Sequence, residues 1–207
     1  MKFILINIFL SIVFLVSCGK EKIEPQTDHT FDLVTPDSSA FNDTCLVPRM
    51  VNDLDVYGCA RMNFKELNTD FIPYFGLIDS SVLGGLISMY LFKEEILKEK
   101  LVLQFFPLEE GIYTKLTSVP WSLKQLGSRT TVDFFSMNSD QVKGRYVLDT
   151  FKLNFIKVNN FNWSTQIVKA RFKFYFYLLN QADKIKYPEL QDSIFIDDGI
   201  IYGTFLK

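Results

Sequence analysis

Cysteine and histidine are the side chains best suited to nucleophilic or metal chemistry, and this 207-residue chain has few of them. His29 is the only histidine, and the cysteines are Cys18, Cys45 and Cys59. A Ser-His-Asp triad or a Cys-His pair needs a histidine as its base, and His29 lies in a polar stretch that favours simple solvation. Zinc sites need clustered nitrogen and sulfur ligands. The sequence therefore predicts no metal, no cofactor and no catalysis through histidine.

Cys18 closes an apolar N-terminal segment. Lys2 precedes an apolar run, Phe3 to Val16, of 14 residues. That run is shorter than the about 20 residues that span a bilayer. A positive start, a short apolar run and small residues at its end are typical of a secretory signal.

Leu15-Val16-Ser17-Cys18 resembles the bacterial lipobox, with Leu three positions before the cysteine and a small residue directly before it. The resemblance implies that the Cys18 thiol takes a diacylglyceryl group and that residues 1–17 are then removed. Several acyl chains anchor a protein stably where one would not. We therefore expect Cys18 to hold the protein to a membrane. The alternative is an ordinary signal peptide with an incidental cysteine.

The residues behind Cys18 bear on localisation. Gly19 stands where an Asp would retain a proteobacterial lipoprotein on the inner membrane, and the charged residues 20–24 resemble the export signal of surface lipoproteins in Bacteroidota. The match is partial, because that signal is richer in acidic residues. We expect the outer membrane, and the periplasmic and cell-surface leaflets stay open.

The mature chain is predicted to have two parts. Residues 18–43 are polar, contain Pro25 and Pro36, and have scattered apolar residues without a period. Such a composition favours a flexible tether, with a reach of roughly 25–30 Å. Residues 44–207 are dense in apolar residues and are expected to form one β domain.

Cys45 and Cys59 are 14 positions apart, in a compartment that permits disulfides. A disulfide between them and a pair of buried free thiols are both compatible with the sequence.

Charge argues against a nucleic-acid partner. Loss of residues 1–17 removes one of the 22 Lys and Arg and none of the 24 Asp and Glu, which leaves a net charge of −3. No basic patch of the kind that nucleic acids require is visible. The 21 Phe and 9 Tyr residues favour pleated sheet instead.

The clearest strand is Ala170–Leu179, where Phe172, Phe174, Phe176 and Leu178 alternate with polar or tyrosine residues. This period of two indicates a half-buried strand. Residues 145–158 also alternate, with Phe151, Leu153 and Phe155 on one face. Further strands are expected at 130–137 and at 193–197, where Asp198-Gly199 favours a hairpin turn that leads into a last strand, 200–206.

Other segments are less clear. Residues 88–100 fit either a helix or a hairpin with a solvated loop, and we favour the hairpin because two apolar β-type runs flank the charges. The segment from 63 to 75 is expected to be extended and broken by Pro73. Residues 121–127 fit a short helical turn, and 159–164 and 181–192 fit loops. Many short strands predict an all-β fold, either an antiparallel sandwich or a small lipocalin-like barrel, with at most one or two short helices.

Three features resemble the uncharacterised β-rich domain families of Bacteroidota lipoproteins. They are Gly111-Ile112-Tyr113, the strand from Val168 to Tyr177, and the closing Ile194 to Gly199, within roughly residues 60–206. The chain departs from the pattern at Ala170-Arg171, because the family tends to carry a glycine before its Phe-rich strand. The resemblance implies a lipoprotein domain of unassigned function with no known catalytic residues.

Candidate binding residues come from the aromatic surplus. Tyr175 and Tyr177 lie opposite the Phe row, and Phe161 and Trp163 lie in a nearby loop, so the four are a candidate platform for sugar rings or an apolar ligand. The alternative is a second buried face. Asp197-Asp198 could contact calcium, although a hairpin turn explains this pair. Paired carboxylates for glycoside hydrolysis depend on spatial pairing, which the sequence does not reveal for Glu109, Glu110, Asp133 or Asp149.

The sequence thus favours a non-catalytic, lipid-anchored β domain that binds a glycan, an apolar ligand or an envelope protein. The alternatives are a structural or assembly lipoprotein of the envelope and a glycan-active enzyme.

Overall fold

The computed structural model describes residues 43–51, 54–65, 67–78, 84–118 and 129–206. The chain divides into two compact units, Met1–Ser38 and Ser39–Lys207, and every described residue belongs to the second unit. The signal segment, His29, Cys18 and the helical turn expected at 121–127 lie outside the described residues.

The described part of the chain is built almost entirely of strands. A short 3₁₀ turn, Asp43–Leu46, precedes them, and one six-residue helix, α1 (Gln181–Lys186), lies between the last two. The strands are β1 (Arg49–Val51), β2 (Leu54–Val56), β3 (Gly58–Phe64), β4 (Leu67–Ile78), β5 (Gly84–Lys93), β6 (Ile96–Phe106), β7 (Gly111–Tyr113), β8 (Thr131–Asn138), β9 (Gln141–Leu148), β10 (Phe155–Asn162), β11 (Ile167–Leu178) and β12 (Ser193–Thr204). No helix among these residues has the length and apolar character needed to cross a bilayer.

Eight of the strands close into an antiparallel barrel. Their order is β12-β3-β4-β5-β6-β8-β9-β11, and β11 pairs with β12 to close the ring. β10 pairs with β11 beyond the end of β9, and β7 pairs with β10. β1 and β2 form a separate hairpin. The all-β prediction is confirmed, and of the sandwich and the barrel the structure forms the barrel.

The inside of the barrel is filled with side chains. Along β11, Phe172, Phe174, Phe176 and Leu178 are buried, as the alternation predicts. Phe134 contacts the ring of Phe176, with centroids 5.8 Å apart. Burial of each such side chain contributes about 1.5–3 kcal/mol. This packed interior is the main source of stability and holds the wall strands in register.

The segment 88–100 is a hairpin, as we favoured. β5 and β6 are joined by Glu94 and Glu95, whose φ angles are 54° and 63°. Two consecutive left-handed residues define the tight turn that matches the twist of paired strands. The loop is shorter than expected, because most of the charged run continues as strand β6.

The alternation predicted across 145–158 is wrong in its middle. β9 ends at Leu148, and residues 149–154 form a loop before β10. Phe151 is 98% exposed and Leu153 is 48% exposed, whereas Asn154 is buried. The Asn154 amide donates to the Asp149 and Lys152 carbonyls and accepts from the Tyr175 N–H, so a side chain replaces the ladder bonds here.

The hairpin turn predicted at Asp198-Gly199 is also wrong. β12 runs unbroken through it, with a bulge between Ile196 and Gly199 in its pairing with β3. Asp198 pairs with Arg171 of β11 at 2.5 Å, and β12 is paired with both neighbouring strands at Ile196 and at Gly199, so the backbone does not turn here. A Cβ on Gly199 would overlap the Phe172 ring, so this glycine permits close packing rather than a turn.

Three smaller expectations also differ from the structure. β4 passes through Pro73, because the pairing with β3 ends at Phe71 and only β5 flanks this proline. β10 continues to Asn162, so the turn follows it instead of filling 159–164. The loop predicted at 181–192 contains α1, which begins after Asn180 because its side chain accepts the Ala182 N–H.

Candidate functional site

An open pocket of about 380 Å³ lies where β3 ends beside β12. Phe64, the last residue of β3, pairs with Ile196, so the first residues of β12 extend beyond their neighbour. The pocket occupies this gap. Its lining combines two amides, two charged groups and two apolar side chains: Asn63, Lys65, Gln191, Ile194, Phe195 and Asp197.

An aromatic stack forms one side of the pocket. Phe195 pairs across the strands with Tyr175. Their ring centroids are 4.1 Å apart and their planes differ by 15°. Phe195 is still 41% exposed. Because Tyr175 covers one face of the Phe195 ring, the opposite face and the edge are what Phe195 offers to the pocket.

The two charged groups of the pocket already have partners. Asp197 pairs with Lys173 at 2.6 Å, and Lys65 pairs with Glu99 at 2.8 Å. Burial tends to lower the pKa of Lys173, but Asp197 outweighs it and the pKa is raised overall. The Lys173 ammonium also lies 5.1 Å from the Phe195 ring centroid. The charges of the pocket are therefore compensated locally.

Glu99 is the most unusual titratable group near the pocket. Its side chain is about nine-tenths buried, and one carboxylate oxygen, Oε2, has no hydrogen-bond partner among the described residues. Burial raises its pKa, and Lys65 and more weakly Lys143 and the Ser136 hydroxyl oppose the shift. Tyr146 lies near it; burial and the Glu99 charge raise the pKa of Tyr146 to about 12. The Tyr146 hydroxyl donates to the Gln191 carbonyl at 3.0 Å.

The structure divides the predicted four-residue platform. Tyr175 lies in the stack, and Tyr177 is 47% exposed on the same outer face of β11. Phe161 and Trp163 contact each other at 4.9 Å, but Phe161 pairs with Val168 near the other end of β11. Seven residues of strand separate that point from Tyr175, or about 23 Å.

Of the six residues that line the pocket, only Asp197 was a candidate from the sequence; the other five were missed, namely Asn63, Lys65, Gln191, Ile194 and Phe195. Phe195 could have been found, because Ile194 and Ile196 point inward and place Phe195 on the outer face. Asn63 and Gln191 gave no local signal, since their proximity depends on the pairing of β3 with β12.

The other sequence candidates lie elsewhere. Cys45 and Cys59 form a disulfide with a Cα–Cα distance of 5.4 Å, which ties the 3₁₀ turn to β3. Asp133 pairs with Arg145 at 2.8 Å on the barrel wall. In the described part of the chain, no group of three or more His, Cys, Asp or Glu residues could hold a metal ion.

The fold and pocket define a class, a closed antiparallel β-barrel with an open polar and aromatic pocket beside one strand end. No protein-family model, curated protein or solved structure matches the chain.

Proposed function

We propose that this protein is a lipid-anchored, non-catalytic binding domain of the outer membrane, and that its pocket takes a neutral glycan. The exposed Phe195 ring, in one pocket lining with the amides of Asn63 and Gln191, is the single observation that carries the ligand class. A sugar ring has an apolar face that stacks on an aromatic ring. Its hydroxyls donate and accept hydrogen bonds, as both amides do.

Charge supports a neutral ligand. Lys65 and Asp197 are both neutralised by partners within 2.8 Å, so an ionic ligand would have to compete with Glu99 or Lys173. The same lining supports binding rather than hydrolysis. Asp197 is the only carboxylate among the described lining residues, whereas glycoside hydrolysis uses two.

The cellular location rests on the lipobox resemblance at Leu15 to Cys18 and on the charged residues behind it. The resemblance to the Bacteroidota lipoprotein domain families belongs to the same proposal. A lipid on Cys18 and a tether behind it would place the pocket at an envelope surface, where a glycan receptor meets its ligand.

The test is binding of the mature protein to a panel of neutral and acidic oligosaccharides, followed by titration calorimetry. We expect a neutral glycan to bind, and F195A to weaken its binding about tenfold or more, since loss of a stacking contact of about 1.4 kcal/mol has that effect. I96A is the matched control, because Ile96 is an exposed apolar strand residue outside the pocket lining.

Absence of any neutral ligand, or equal binding by F195A, would overturn the proposal. Displacement of a fluorescent fatty acid would indicate an apolar ligand instead.

A further inference from the structure

Residues 149–154, the wall loop, project from the barrel wall between β9 and β10. The loop is held in place on both sides. The Phe151 N–H donates to Asp149 Oδ1 at 3.0 Å, and the Lys152 N–H donates to the Asp149 carbonyl at 3.1 Å. Asn154 and Asp149 both bond to the backbone of Tyr175 on β11. These hydrogen bonds hold the wall loop in a defined conformation.

This ordered loop presents apolar side chains to solvent. Phe151 is 98% exposed and Leu153 is 48% exposed. Ile112, which is 58% exposed, pairs with Lys157 of β10 and so lies on the same outer face as that lysine. Exposed apolar groups that cluster on one side of a protein mark interaction surfaces.

Cations are interleaved with these apolar groups. Lys152 lies between Phe151 and Leu153 in the sequence, and Lys157 is the third residue of β10. Neither lysine forms an ion pair with a carboxylate in the described part of the chain. The surface thus offers apolar side chains together with positive charge that is not paired with any carboxylate of the described residues.

We propose that the wall loop docks on an anionic lipid surface, with Phe151 and Leu153 entering the acyl boundary and Lys152 and Lys157 facing headgroup phosphates. A fluid bilayer accommodates projecting side chains without a matching cavity. A stable protein partner needs about 800 Å² of complementary surface on each side, whereas the wall loop offers two exposed large apolar side chains, Phe151 and Leu153. Headgroup phosphate attracts lysines near the surface.

A lipid on Cys18 would strengthen this contact without adding any interaction, because a tether raises the local concentration of the loop at the bilayer. Only this enhancement rests on the proposed function. The contact itself follows from the wall loop.

The test uses the lipidated protein in vesicles of phosphatidylethanolamine with a minority of phosphatidylglycerol, with brominated acyl chains as quencher. F151W adds an indole at the loop tip, and its emission is measured as the difference from wild type, which carries Trp121 and Trp163. We expect this added emission to shift to the blue and to be quenched, and K152E/K157E to reduce the quenching. I185W is the matched control, because Ile185 on α1 is 86% exposed and lies outside the surface.

Flotation of the vesicles separates the outcomes. If the protein floats with the vesicles but F151W is quenched no more than I185W, the loop proposal is overturned. The proposal of a lipid anchor would be unaffected by that result. Quenching of F151W in protein without its lipid anchor would support a contact between the wall loop and the bilayer that does not need the anchor. Loss of quenching together with cross-linking of residue 151 to an envelope protein would overturn the lipid surface in favour of a protein partner.

Discussion

Glu99 is the residue at which burial and charge conflict most directly. Its carboxyl lies at the inner face of β6, and Lys65 supplies one ion-pair contact to Oε1 at 2.8 Å. The other oxygen is buried without a described partner. Burial of the ionised carboxylate costs more free energy than the contact with Lys65 returns, which is why its pKa is raised. Glu99 should therefore make the fold more stable when it is protonated.

We predict that Glu99 makes stability fall as pH rises. Burial raises its folded-state pKa above the ordinary value of 4.5. Between those two pKa values the folded state binds more protons than the unfolded state, so the free energy of unfolding decreases with pH. The contribution is complete below pH 4.5 and is lost as pH passes the folded-state pKa. Urea denaturation of E99Q and wild type should show a difference that grows through this window and then levels off.

E189Q serves as the control for E99Q. Glu189 is also paired with a lysine, Lys143, but this pairing lowers its pKa. Its contribution is present above the ordinary pKa and is lost as pH falls, so it cannot produce a loss of stability with rising pH. A constant difference between E99Q and wild type from pH 4 to pH 8 would refute the role assigned to Glu99.

At the scale of elements, the Cys45–Cys59 disulfide fastens the start of the described domain to β3. We predict that C45A/C59A lowers the free energy of unfolding by about 3 kcal/mol, as expected for a closed loop of this length. Denaturation in urea measures it. Reductant should weaken the wild type by a similar amount and leave the double variant unchanged. Equal stability of oxidised and reduced wild type would contradict the prediction.

Elements with a local signature were predictable from the sequence. β11 was found because alternate residues pack inward and outward over its length. The β5–β6 hairpin was found because its apolar strands flank a charged turn. In both, the signal lies in consecutive residues: a period of two in β11, and an apolar, charged and again apolar order in the hairpin.

Elements fixed by distant partners were not predictable. The wall loop replaces a strand because Asn154 bonds to the Tyr175 backbone, 21 positions away. Asp198-Gly199 does not turn because β12 pairs with both β11 and β3 at Ile196 and again at Gly199. Barrel closure itself depends on β12 pairing with both β11 and β3. The pocket could not be predicted from the sequence for the same reason, since its two amides come together only when the barrel closes.

The described domain and the proposed anchor have separate roles at the scale of the whole molecule. The barrel has its own packed core and disulfide, so we expect it to fold without Cys18. The proposed lipid would instead decide where the pocket and the wall loop act. Changes at Cys18 should thus alter location without altering the structure or the ligand affinity of the barrel.

C18A tests this separation. The lipobox resemblance assigns the Cys18 thiol as the nucleophile that accepts the diacylglyceryl group, and alanine has no nucleophilic atom. We predict that cells fed labelled palmitate label the wild type and not C18A, which accumulates as an unlipidated precursor.

C45A/C59A is the control, because it removes the other two thiols and should still be labelled. Label on C18A would refute the anchor. Loss of label from C45A/C59A with correct processing would mean that lipid is attached elsewhere. If the predictions hold, protein freed of residues 1–18 should bind the same neutral glycan with wild-type affinity. It should need a higher concentration of anionic lipid to quench F151W, because the local concentration that the anchor supplies has been lost.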